Sequence, residues 1–280
     1  MKTPNRFGQA AFTLIELLVV IAIIGILASL TLPSLGRSKQ HSKVTVCLNN
    51  LHQIDLGIEM FMQDNGGRYP GGLGGQKMAR EFVCRAVSDD QIVQEMLGRP
   101  LYPYIKPSKV YACPEDKGED FSPDSVNYQP SMYYAFGCSY SFNTTAWKFL
   151  KHVQEGGLAG ATPSWVREPN RYIMVYEQPA RPVWKIVEDI CSEHTVEFRY
   201  YFHWHFGSRK STIPANQLAG DPQRFISPIL FVDGHAAKHD FTDALKAEPK
   251  YPLEETKDWM WYQFKPEPEK PIAGLGVNRP

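Results

Sequence analysis

The sequence predicts an α+β fold in which one long N-terminal α-helix packs on an antiparallel β-sheet with extended loops. An apolar run from Phe12 to Leu32 and a later amphipathic stretch ending near Asp64 predict the helix. Five extended apolar segments then follow one another in the second half of the chain. Strands that come in succession after a helix are typical of an antiparallel sheet.

The composition indicates a folded body with balanced charge. The 280 residues include 30 Lys plus Arg and 30 Asp plus Glu, so the net charge is zero and nothing points to nucleic acid as a partner. Six Trp, 14 Tyr and 15 Phe favour a packed core over disorder. Five cysteines is an odd number, so at least one thiol stays free.

The first 32 residues have the length and charge pattern of a membrane segment. Lys2 and Arg6 give a basic start, and the run from Phe12 to Leu32 has the roughly 20 apolar residues that a bilayer crossing needs. This segment has three possible interpretations: a cleaved secretory signal peptide, a plain membrane anchor or a helix that assembles with other helices. A signal peptide fits poorly with Glu16 inside the run. A plain anchor leaves Glu16 unexplained, because a carboxylate in hydrocarbon costs about 3 kcal/mol or more.

The segment AFTLIELLVVIAIIGILA, residues 11–28, resembles the N-terminal signature of type IV pilins and type II secretion pseudopilins. The resemblance implies a cut between Ala11, where the family usually has glycine, and Phe12, followed by methylation of the new amine. Glu16 then becomes the fifth residue of the mature chain. In a stack of such helices, Glu16 neutralises the Phe12 amine of a neighbouring subunit.

The resemblance also implies a function and a set of partners. The chain would be a structural subunit of a pilin-like filament, serving type II protein secretion or a type IV pilus-like system, and not an enzyme. Its partners would be other pilin-like subunits, a prepilin peptidase and N-methyltransferase, an inner-membrane assembly platform and the lipid bilayer. It would cross the cytoplasmic membrane once, with its globular part outside the cytoplasm and with no cofactor.

The helix is expected to continue beyond the membrane. Pro33 predicts a kink, because it removes one hydrogen bond and crowds the preceding turn. Beyond it, apolar residues follow helical spacing, namely Val44, Cys47, Leu48, Leu51, Ile54, Ile58, Phe61 and Met62. The sequence DNGG at 64–67 predicts the helix end. We therefore expect a leader at 1–11, a membrane half at 12–32, an amphipathic half at 33–65, an αβ domain at 66–264 and a Pro-rich tail at 265–280.

Five segments are predicted as strands, and they cover residues 138–143, 171–178, 195–204, 226–232 and 235–241. Asp233-Gly234 separates the last two and predicts a hairpin with a type I′ turn. Residues 77–97 are expected to form one or two short helices. This half of the chain resembles the large planctomycete and verrucomicrobial pilin-like proteins that carry a C-terminal His to Asp-Gly motif. With His205 as the histidine, 27 residues separate it from Asp233, a longer gap than that family usually shows.

Two groups of residues are candidate metal ligands. His203 and His205 alternate on one face of a strand, and Asp233 or His235 would complete a zinc-type site if the hairpin lies beside them. Asp116, Glu119, Asp120 and Asp124 form an oxygen-rich loop of the kind that binds calcium. Structural roles are the alternative for the histidines, and a solvated loop is the alternative for the acidic group.

Cys113 and Cys138 flank a loop and are candidates for a disulfide, since disulfides persist outside the cytoplasm. Cys47 lies on the apolar stripe of the helix and is expected to be a buried thiol. Two other functions stay open from the sequence. One is a membrane-tethered metal-dependent hydrolase that uses the histidine group, and the other is an anchored adhesive or ligand-binding module.

Overall fold

The computed structural model of the chain describes residues 13–70, 100–101, 103–106, 109–118, 131–136, 138–143, 157–180, 183–185, 198–206, 212–247, 256–261 and 263. The predicted helices at 77–97 and the predicted tail at 265–280 lie outside these ranges. The chain divides into two units, residues 1–42 and residues 43–280.

Four helices and seven strands are described. The helices are α1 (Leu14–Asp64), α2 (Met132–Phe136), α3 (Ala215–Leu218) and α4 (Thr242–Ala247). The strands are β1 (Tyr140–Phe142), β2 (Ile173–Glu177), β3 (Val183–Lys185), β4 (Phe198–Phe202), β5 (Thr212–Pro214), β6 (Ile226–Phe231) and β7 (Ala236–Asp240). Short 3-10 turns lie at Lys109–Tyr111, Pro163–Trp165 and Gln178–Ala180.

Helix α1 has 51 residues and contributes to both units. It continues through Pro33, so the kink stays a prediction. Gly66 and Gly67 both have positive φ, and the Gly67 amide donates to the Met62 carbonyl. The predicted helix end is thereby confirmed, because glycine adopts the left-handed cap without strain.

The strands form two sheets. The larger has the order β1-β2-β6-β7 and the smaller the order β3-β4-β5, and every strand pair within them is antiparallel. The antiparallel prediction and all five predicted strands are confirmed. The sequence did not indicate that β4 lies in a different sheet from the other four predicted strands. Pairing between distant segments of the chain leaves no local pattern in the sequence.

The hairpin of β6 and β7 is confirmed at Asp233-Gly234, but its predicted turn type is wrong. The Gly234 amide donates to the Phe231 carbonyl, and the Phe231 amide donates to the His235 carbonyl. Only Gly234 has positive φ, at 85°, among residues 232–234. This is a three-residue loop with a left-handed glycine, whereas a type I′ turn needs positive φ at both central residues.

The core of residues 43–280 consists of two apolar clusters on the larger sheet. One contains the buried stripe of α1, including Leu51, Ile54 and Ile58. The other lies around Phe241 and Trp261. Strands β2 and β6 contribute to both clusters and are buried along their whole length. Their nearly continuous apolar runs fit this central position.

Candidate functional site

The N-terminal half of α1 presents bare apolar surface. Leu14 is 86% exposed and Leu30 is 71% exposed, and large aliphatic side chains between them are exposed as well. This helix is long and apolar enough to cross a membrane. Lipid or another apolar surface is needed to cover it, because apolar area in water is unfavourable.

Glu16 caps the start of this helix. The Thr13 amide and the Thr13 hydroxyl each donate to Glu16 Oε2 over 2.8 Å, and the Glu16 amide donates to Thr13 Oγ1 over 3.2 Å. This reciprocal arrangement is a capping box, which satisfies amides that the helix leaves unpaired. The carboxylate is therefore held at the helix terminus, next to the predicted cut. Ala11 and Phe12 lie outside the described residues.

A second site is buried in the body of the chain. One ligand atom from each of Cys47, Cys113, Glu177 and His205 lies within 4.8 Å of the others, and all four residues are buried. The Cys47 and Cys113 sulfur atoms are 3.2 Å apart, and Cys113 Sγ is 3.6 Å from His205 Nε2. The same Nε2 atom lies 2.6 Å from Glu177 Oε2. We call these four residues the CCEH cluster.

Four different parts of the fold supply the cluster. Cys47 lies on the buried stripe of α1, Cys113 follows the 3-10 turn at Lys109–Tyr111, Glu177 ends β2 and His205 follows β4. The cluster therefore joins the helix, a loop and both sheets. Burial raises the pKa of the Cys113 thiol, and the Cys47 thiol and the Glu177 carboxylate raise this pKa further.

Hydrogen bonds hold the loop that carries Cys113. Asn50, one turn after Cys47 on α1, donates from its amide group to the Ala112 carbonyl and to the Tyr140 hydroxyl, each over 3.1 Å. The Cys113 amide donates to Ser139 Oγ. The sequence analysis did not single out Asn50, although its position one turn after Cys47 could have indicated this contact, because a buried amide needs partners.

Asp116 stabilises the same loop and is saturated with protein donors. Its carboxylate accepts from the Ser139 hydroxyl and from the amides of Gly118, Met132 and Tyr133. Burial raises the pKa of Asp116, and these hydrogen bonds oppose the shift. Of the predicted calcium ligands, Glu119, Asp120 and Asp124 lie outside the described residues. The calcium loop stays a prediction, with Asp116 occupied by other contacts.

The structure places the four predicted zinc ligands in two locations. His205 belongs to the CCEH cluster, and His203 is buried two residues before it. Asp233 and His235 pair with each other at the exposed hairpin, where His235 stacks on Phe231. Within the described ranges, His205 is the one member of the predicted set that belongs to a group of three or more potential metal ligands.

The candidate disulfide between Cys113 and Cys138 is not formed. Both cysteines are buried, and neither takes part in a disulfide within the described residues. Cys138 Sγ donates to the Tyr140 carbonyl, whereas Cys113 Sγ faces Cys47 on α1. The prediction paired the two cysteines nearest in sequence, whereas the structure pairs the Cys113 sulfur with a residue of α1 that lies 66 positions away. The prediction that Cys47 is a buried thiol is confirmed.

The chain matches the family model for the prokaryotic N-terminal methylation motif over residues 6–32. It is 40% identical to type II secretion system core protein G of Pseudomonas aeruginosa over 61 residues, which are 22% of this chain and 43% of that protein. The protein of the same name from Pectobacterium carotovorum is 35% identical over 71 residues, 24% of this chain and 45% of the relative. That of Escherichia coli K12 is 37% identical over 57 residues, 20% of this chain and 39% of the relative.

The similarity covers the N-terminal region, and the matched part spans less than half the length of these curated relatives. No solved structure matches the chain significantly. The start of this chain is therefore a pilin-like, prokaryotic N-terminal methylation segment.

Proposed function

We propose that the chain is a structural subunit of a pilin-like filament, a pseudopilin, that acts in type II protein secretion or in a type IV pilus-like system. The relatives named above are core proteins of the type II system, and the methylation motif covers the residues that carry the proposed cut. The observation that carries the proposal is the apolar surface of α1 between Leu14 and Leu32. That surface is exposed on all sides of the helix, so several neighbouring helices can cover it at once.

The proposed cleavage of the chain gives a reason for the position of Glu16. A cut after Ala11 leaves a cation at Phe12, one residue before the Thr13 that now caps the helix with Glu16. In the membrane, two unpaired charges in hydrocarbon are costly. In a filament, the Glu16 carboxylate of one subunit pairs with the Phe12 amine of the next, and the two charges neutralise each other.

In this proposal the chain is a substrate and not a catalyst. A prepilin peptidase and N-methyltransferase acts on Ala11 and Phe12, and an inner-membrane platform draws the subunit into the filament. The helix crosses the cytoplasmic membrane once. Residues 43–280 then lie outside the cytoplasm.

Replacing Glu16 tests the proposal in a host with its assembly machinery. Glu16→Ala should leave processing and membrane insertion intact, because the cut site and the apolar run remain. Assembly should fall to background, because the Phe12 amine loses its anionic partner in a low-dielectric environment. Filament yield by electron microscopy and crosslinking between neighbouring helices measure this. Glu59→Ala, which removes an exposed carboxylate from the same helix, is the matched control.

Glu16→Gln separates the two roles that the structure allows for this side chain. Glutamine retains the capping-box acceptor but carries no charge. If the ion pair matters, Glu16→Gln fails to assemble as Glu16→Ala does. Wild-type assembly of Glu16→Gln would reduce Glu16 to a helix cap, and wild-type assembly of both variants would overturn its role altogether.

A further inference from the structure

We propose that Cys47, Cys113, Glu177 and His205, the CCEH cluster, form a structural zinc site that fastens the C-terminal half of α1 to both β-sheets. Two thiolates, one imidazole and one carboxylate are a ligand set that zinc accepts. Four protein ligands fill a tetrahedral site, which is the arrangement of structural zinc rather than catalytic zinc.

The distances fit such an ion. Zinc–ligand bonds of about 2.0–2.3 Å in tetrahedral geometry separate neighbouring ligand atoms by about 3.3–3.8 Å. The Cys47 and Cys113 sulfur atoms are 3.2 Å apart, and Cys113 Sγ lies 3.6 Å from His205 Nε2. The sulfur–sulfur distance and the 2.6 Å contact of His205 Nε2 with Glu177 Oε2 are shorter than this range, and each opens by less than about 1 Å to admit the ion. Side-chain rotation supplies movements of this size.

Among the described contacts, the buried carboxylate of the cluster pairs with His205 through Oε2 alone. Glu177 is fully buried, and its Oε1 atom has no hydrogen-bond partner within the described part of the chain. A buried carboxylate without enough partners is costly. Thiols are weak donors and contribute little to its stabilisation. A divalent ion stabilises the carboxylate and both sulfur atoms as thiolates. When it binds, the two thiol protons pass to solvent, and His205 Nε2 gives up the proton that it shares with Glu177.

The surroundings of two ligands are arranged for metal binding. The Glu115 amide donates to Cys113 Sγ over 3.4 Å, a contact that stabilises negative charge on sulfur. Directly after His205, Phe206 has a φ of 56°, the only positive φ among the described residues other than glycine. Backbone strain of this kind persists where surrounding structure enforces it, and it often accompanies functional positions.

A disulfide between Cys47 and Cys113 is the rival outcome, because the two sulfur atoms are already in contact. It accounts for two members of the cluster only. A separate ion pair between His205 and Glu177 then accounts for the other two, but not for the 3.6 Å contact of His205 Nε2 with Cys113 Sγ. The convergence of two thiols, an imidazole and a carboxylate from four parts of the fold therefore favours the ion.

Metal analysis of the full-length chain tests the site. The protein is purified in detergent without chelators or added metal, and zinc is measured by mass spectrometry together with the state of the cysteines. We expect about one zinc per chain, with Cys47 and Cys113 unmodified by a thiol reagent until a chelator removes the ion. A metal-free protein with a disulfide between Cys47 and Cys113 would overturn the proposal.

Variants locate the ion. Cys113→Ser and His205→Gln should each lose most of the zinc, whereas Cys138→Ser, which changes a buried thiol outside the cluster, should retain it. Full zinc in both Cys113→Ser and His205→Gln would place the ion elsewhere and contradict the assignment. Because a variant that fails to fold also loses zinc, cobalt exchange into the wild-type protein gives an independent readout. Thiolate-to-cobalt charge-transfer bands are expected, and a cobalt spectrum that shows no sulfur ligands would contradict the site.

Discussion

The two halves of α1 both carry large apolar side chains but bury them differently. In the N-terminal half, Leu17 is 51% exposed and Leu27 is 57% exposed, and apolar residues cover every side of the helix. In the C-terminal half, Cys47, Leu51 and Ile54 are fully buried and form one stripe against the core. Residues on the other faces of this half, such as Gln53 and Glu59, are exposed.

This difference indicates that the C-terminal half of α1 contributes to folding and that the N-terminal half is available for assembly. The stripe after residue 43 belongs to the core of its own chain, so it is satisfied before any partner arrives. The apolar surface before residue 33 has no such core, so it needs lipid or the same surface of other subunits. A helix with both arrangements fits a subunit that folds first and assembles later.

The largest effect that tests this comparison is expected from truncating the same residue type in each half. Leu51→Ala removes a fully buried side chain from the core and should lower the free energy of unfolding by about 2–5 kcal/mol. Leu27→Ala is its matched control and should leave the unfolding of residues 43–280 unchanged, because Leu27 is exposed and outside that unit. Chemical denaturation of the full chain in detergent measures both. Equal losses would show that the halves do not differ as described.

A smaller effect is expected at the hairpin tip, where β6 turns into β7. Gly234 has a φ of 85°, and a Cβ added there would lie 3.0 Å from the carboxylate of Asp55 on the C-terminal half of α1. Gly234→Ala should therefore cost about 1 kcal/mol of stability or more. Gly220→Ala is the control, because nothing lies within 4 Å of its added Cβ and its φ is ordinary. If both substitutions are neutral in denaturation, the hairpin does not approach α1 closely.

The smallest effect is a pH dependence in β7. Half-buried His239 lies among the rings of Phe231, Phe241 and Trp259, and this burial lowers its pKa. Because the unfolded chain then binds more protons than the folded chain below about pH 6.5, stability should fall as the pH drops through that value. His239→Gln should remove this dependence, a change of less than about 1 kcal/mol after solvent screening. The exposed His52→Gln should retain the wild-type profile, and an unchanged profile in His239→Gln would refute the assignment.

The sequence was sufficient to predict those structural features that are determined by residues close together in the chain. The stripe of α1, its end at Gly66 and Gly67, and the hairpin at Asp233 follow from local spacing and from the properties of glycine. The CCEH cluster could not be predicted, because its contacts join residues 66, 92 and 28 positions apart. Glu177 looks like the polar end of a strand, and Cys47 looks like any small apolar residue on a helix. The packing of α1, a loop and the two sheets brings these side chains together.

The central claim is that this chain is processed and assembled as a pilin-like subunit, and its mature N-terminus tests that claim most directly. The chain is isolated from membranes of its native host, and its N-terminal peptide is sequenced by mass spectrometry. The account predicts a chain that begins at Phe12 with a methyl group on its amine. An intact Met1 terminus, or a cut after Ala28 that removes the apolar helix with Glu16, would contradict it.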